Sequence, residues 1–132
     1  MNAHAAVEAA VIDALNAHAP FREGVNGVHL MRPVRATPPY ALIGESLSGD
    51  WGTKDADGRE VRIALSVRDA ADGPARLYRL MAAAEEALAG LGRQLDGWRV
   101  ASIAFLRSRI TREGDRSWTG MIEYRVRVLA SG

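Results

Sequence analysis

Apolar residues recur along this chain with two alternating periods. In Ala3–Ala17, Val7, Val11, Ala14 and Leu15 return every three or four residues while Glu8, Asp13 and Asn16 point elsewhere, which predicts an amphipathic helix. Pro20 is expected to stop it. Val28–Arg32 predicts a short strand ended by Pro33, and Arg35–Pro39 an extended linker, since two prolines forbid helix and restrict the residues before them. Tyr40–Leu47 resumes as strand. Then Val61, Ile63, Leu65 and Val67 alternate with Arg62, Ala64, Ser66 and Arg68, the cleanest strand signal in the chain.

The period returns to helical after Asp72-Gly73-Pro74, where a capping residue precedes a proline in the first turn. Leu77, Leu80, Met81, Ala84, Leu88 and Leu91 form the stripe, and Gly90 and Gly92 close it. That span predicts a helix approaching 30 Å at about 1.5 Å per residue. Two long strands follow, near Trp98–Thr111 and Ser117–Leu129, joined by the turn Arg112–Arg116. In the last, Trp118, Ile122, Tyr124, Val126 and Val128 share one face. The expected fold is one α+β domain over residues 1–132, in the order α-β-β-β-α-β-β. Its sheet is mainly antiparallel with about five strands, and both helices pack on one face.

Composition adds constraints to that pattern. Hydrophobic residues make up 48% and charged residues 25%, a balance suited to a packed globular domain. Cysteine is absent, which excludes disulfides, thiolate metal sites and a cysteine nucleophile. The first residues hold no basic region and no long apolar run, so neither a secretion signal nor a membrane span is expected there. Net charge is +1, giving no overall field toward nucleic acid or an anionic membrane, yet the cations are sixteen arginines and one lysine.

Catalytic templates find little to use. His4, His18 and His29 form no metal-ligand pair, and His4 and His18 lie at opposite ends of the first helix. No G-x-S-x-G, Walker or dinucleotide glycine motif is present, and Gly44–Gly49 only approaches a serine elbow. Glu45 and Asp50 are the one carboxylate pair worth weighing for acid–base work, although acids at loop edges are usually solvated. Asp55–Glu60 begins like a calcium loop, but Arg59 and the missing downstream glutamate break the pattern. No cofactor, metal or catalytic residue is expected.

Two features remain for function. Leu47–Gly58 is a long polar, glycine-rich connection carrying Trp51 and the lone lysine, Lys54. A tryptophan there must fold back on its own domain or meet a partner. Arginines also pair at even spacings on the strands: Arg62 and Arg68, Arg107 and Arg109, Arg125 and Arg127. In two of the strands they oppose the apolar face; the Arg107 strand is ambiguous, because Ile103 and Phe105 share its parity. An ordinary solvated face with Arg–Glu pairs is one reading, and a face that meets a subunit or lines a channel is the other.

Pro39-Tyr40, Gly44-Glu45, Asp50-Trp51-Gly52-Thr53-Lys54 and Gly58 ahead of a strand resemble the tail completion or tail terminator family of long-tailed phages, prophages and gene transfer agents. The likeness covers nearly the whole chain. Gly52, where relatives carry serine, and Arg68, where they carry an aromatic, depart from the pattern. The resemblance implies a structural subunit, not an enzyme, that forms a hexameric ring on the last ring of the tail tube. It would stop tube growth and offer a surface to the head–tail connector at the head-proximal end of the particle, after assembly in the bacterial cytoplasm. The implied partners are other copies of the chain, the tube protein, the connector and DNA passing through without sequence-specific contact; no membrane is implied. Asp50, Trp51, Thr53 and Lys54, with the six paired arginines, are the expected contact residues. The competing readings are another neck or head-completion adaptor, and a small oligomeric enzyme or ligand-binding module using Glu45, Asp50 and Trp51.

Overall fold

A computed structural model describes residues 1–30, 33 and 35–131. Helix α1 spans Ala3–Ala17 as the periodicity predicts, and the Asn2 side chain caps it by accepting the Ala5 N–H at 2.8 Å. Pro20 does more than stop it. It sits in the first turn of a second helix, α2 (Ala19–Arg22), which buries Phe21 completely. Strand β1 covers only Val28–His29; Met31 and Arg32, the end of the expected strand, lie outside the described residues.

Strand β2 runs Tyr40–Asp50, three residues beyond expectation, and β3 runs Gly58–Ala70. Helix α3 is Ala75–Ala89, about 22 Å long rather than 30 Å. Pro74 occupies its cap position without a side-chain bond. Asp72, the expected cap, instead accepts a hydrogen bond from Arg116, so an ion pair with the neighbouring hairpin has taken the carboxylate. A short β4 (Gln94–Leu95), unforeseen, leads into β5 (Trp98–Arg112) and β6 (Ser117–Ala130).

The six strands form one curled sheet in the order β1-β2-β3-β6-β5-β4. All neighbours are antiparallel except β1 with β2. The observed order is thus α-α-β-β-β-α-β-β-β, with one helix and one strand more than expected because the two-residue β4 and the four-residue α2 carry no periodic signal. Helices α1 and α3 cover one face, where Val61, Ile63, Leu65 and Val67 meet Ile122, Val126 and Val128 beneath Leu15, Leu77 and Leu88. Gly120 marks how closely α3 approaches: a Cβ there would lie 2.5 Å from the Met81 sulfur.

One buried charge anchors this layer. Asp69 continues the inward parity of β3 and its side chain has no exposed surface. Arg76, in the first turn of α3, donates from Nε to its Oδ2 at 3.0 Å and from Nη2 to its Oδ1, while the Ala70 N–H adds a third donor at 2.8 Å. The Arg76 hydrogen bond, outweighing burial, holds the Asp69 carboxyl below its ordinary range. Sequence reading passed over this pair. An acid in the slot after Val67, with an arginine seven residues on, was the available signal.

Candidate functional site: the arginine face and the tryptophan loop

Strand register decides which way each arginine points. Arg62 faces Arg125, Arg68 faces Thr119, and Arg127 faces Glu60, all on the sheet face without helices. The ambiguity in β5 is resolved by β-bulges between Val100 and Ser102 and between Phe105 and Arg107. Each extra residue reverses the parity, so Phe105 faces Tyr124 on the helix side while Arg107 faces Glu123 and Arg109 faces Met121 on the open side. All six arginines therefore share one face.

Acids on that face are fewer. Glu60 sits at its Trp51 end, accepting from Arg127 Nε at 3.0 Å with Arg62 Nε 3.6 Å away. Arg127 by hydrogen bond, and then the charges of Arg127, Arg125 and Arg62, hold the Glu60 carboxyl below its ordinary range. Arg107 reaches Glu123 at 3.4 Å. Among the described residues, Arg68, Arg109 and Arg125 have no carboxylate within 4.0 Å, and Nε of Arg68 and of Arg125 are buried without a hydrogen-bond partner. Arg62 and Arg125 also stand directly opposite each other, a like-charge pairing that a self-contained sheet disfavours. A groove of about 440 Å³ opens here, bordered by Glu45, Leu47, Arg62, Arg107, Arg109 and Glu123.

The loop beside this face is shorter than the sequence suggests: strand pairing continues through Asp50, leaving Trp51–Asp57 as the connection. Asp50 turns the chain by accepting the Gly52 N–H at 3.2 Å, Thr53 N–H donates to the Ala56 carbonyl at 2.8 Å, and Trp51 N–H donates to the Gly58 carbonyl at 3.0 Å. Gly58 is needed at the crossing, since a Cβ would sit 2.7 Å from the Trp51 carbonyl oxygen. The Trp51 ring lies 5.3 Å from the Arg127 guanidinium of its own chain and is half-buried there. Thr53 and Lys54 are exposed at the tip. The loop and the arginine face thus form one continuous surface through Trp51, Arg127 and Glu60.

Elsewhere the chemistry is thin. His4 Nδ1 lies 2.7 Å from Ser46 Oγ, but Ser46 is on a strand facing α1, and no carboxylate orients His4 among the described residues. Among those residues no three potential ligands gather to hold a metal. Glu45 lies within the β2 bulge and Asp50 at the far end of the strand; both are exposed.

Such a surface is suited to macromolecular contact, as in a structural subunit. Comparison with known proteins gives that class a family. The profile of the family described as Tail completion protein gp17 matches residues 9–129, and the chain belongs to this family of structural, non-enzymatic tail completion proteins. Among solved structures, a chain from the virion of a native gene transfer agent particle is 27% identical, with a TM-score of 0.86 over 96% of this chain and 97% of that one. The bacteriophage SPP1 gp17 protein, 21% identical, aligns over 96% of this chain and 89% of its own with a TM-score of 0.61, and shares the fold. No curated protein sequence matches the chain.

Proposed function

We propose that this chain is the tail completion subunit of a virion or gene-transfer-agent particle, closing the head-proximal end of the tail tube as a hexameric ring. In that role it stops tube polymerisation and offers the surface on which the head–tail connector docks. The observation that carries the reading is the near-complete superposition on a chain of a gene transfer agent virion, end to end in both chains. The arginines support it from below: Arg68, Arg109 and Arg125 have no carboxylate within 4.0 Å among the described residues, as a contact surface awaiting carboxylates requires.

On this reading Asp50, Trp51, Thr53 and Lys54, together with Arg62, Arg68, Arg107, Arg109, Arg125 and Arg127, face neighbouring copies, the tube protein or the connector. DNA passes through the lumen without sequence-specific contact, and a net charge of +1 fits that passage, since a strongly basic lumen would retain the genome. Assembly takes place in the bacterial cytoplasm. A reconstruction of the particle tests the placement. Six copies on the terminal ring of the tube are expected, and density for this chain on the head side of the neck would replace the reading with a head-completion adaptor.

A further inference from the structure

The short strands at the two sheet edges protect only part of the long strands behind them. Among the described residues, β1 pairs with β2 at Ala41 and Leu42 alone, and β4 pairs with β5 at Trp98 and Arg99 alone. Among the described residues no strand lies outside β2 from Ile43 to Asp50, or outside β5 from Ala101 onward. Exposed ladder groups of this length are templates for pairing with another chain.

The two open stretches lie at the same height. Followed across the ladder, Ile43 is level with Leu65, Ile122 and Ser108, and Asp50 is level with Arg59, Val128 and Val100. Strand directions alternate through β2, β3, β6 and β5, an even number. A second copy placed beside the first in the same orientation therefore brings β5 antiparallel to β2. The bulges also match. β2 carries its extra residue between Ile43 and Ser46, and β5 carries one between Phe105 and Arg107, at the level of Glu123 in both cases. Each breaks the ladder toward its inner neighbour, yet set against each other the two edges run residue for residue from Asp50 beside Ala101 to Ile43 beside Ser108.

We infer that copies of this chain join head to tail through these edges, β5 of one protomer adding to β2 of the next to make one continuous sheet. Side chains across the seam suit each other. Leu47 and Phe105, 57% and 47% exposed, are large apolar residues standing one on each open edge, Leu47 on the open face and Phe105 on the helix face. Leu47 comes level with Ala104, and Phe105 with Ser46. Arg107 arrives beside Gly44, the residue next to Glu45, which brings an edge arginine close to an edge carboxylate. The interface uses two different surfaces of each protomer, so it propagates in one direction and closes only as a ring. β1 and β4, covering opposite ends of the seam, limit how far it extends.

The inference rests on the self-association in the proposed ring but is separable from tail capping. Because the chain has no cysteine, L47C and A104C can be introduced without background. Oxidised mixtures of the two single variants should give a disulfide-linked dimer. Neither variant alone should, and the double variant should give a ladder ending in one closed species. Should a cysteine at Ala104 disturb its strand, G49C with S102C reads the same register. No cross-link from either pair, or dimers from a single variant, overturns the inference. A ring seen in particles without these cross-links would leave tail capping standing and this seam refuted; cross-links in a chain whose loss leaves tails unchanged would do the reverse.

Discussion

Replacing Arg76 with alanine should destabilise the subunit more than replacing Asp69, although both changes break the same pair. Asp69 has no exposed side-chain surface, whereas Arg76 is 44% exposed. Arg76→Ala strips the buried carboxylate of two charge-assisted donors and leaves it only the Ala70 N–H. Stranding a buried charge costs about 3–5 kcal/mol, and access of water through the half-open guanidinium site brings the expectation to about 2–3 kcal/mol. Asp69→Ala leaves a cation already near water and should cost about 1 kcal/mol. At about 4 °C per kcal/mol, thermal melts at neutral pH should fall by about 10 °C and 4 °C respectively.

The acid dependence follows from the same contact. Asp69 is held below its ordinary range, so its contribution is complete above the unfolded pKa and is lost as pH falls through the lower folded value. In Arg76→Ala the unpaired carboxyl titrates higher and is neutral in acid. The gap between wild type and this variant should therefore narrow as pH drops below about 4. A larger loss for Asp69→Ala than for Arg76→Ala, or a gap that widens in acid, would refute the reasoning.

Trp51→Ala removes a half-buried ring from Arg127 at the surface, not from the core, and should weaken assembly into particles while lowering the melting temperature of the isolated subunit by only a few degrees. Leu65→Ala, at a position only 2% exposed, sets the comparison: a cost of about 2–5 kcal/mol is expected from the cavity alone. Melting shifts of equal size for the two would show that Trp51 is core.

Where one period persists for several turns or pleats, the sequence was readable. α1, the alternation of β3, the α3 stripe and the β5–β6 hairpin all rest on that. Short elements were less so: β4 and α2, of two and four residues, are held by neighbours instead of by their own pattern, while β1 was expected at Val28. The orientation of Arg107 and Arg109 needed the bulge at Leu106, which depends on how β5 lies against β6 and leaves no mark in β5 itself. Trp51 followed the same logic. Its loop looked long because the alternation in β2 fails at the bulge near Gly44, yet pairing resumes through Asp50 and leaves the ring over Arg127.

Tail length in particles made without this chain tests the central claim most directly. If the subunit completes the tail by capping its tube, electron micrographs of such particles should show tubes of irregular, mostly excessive length, or headless tails, and supplying the chain should restore one sharp length. Tails of normal length joined to heads would contradict the account.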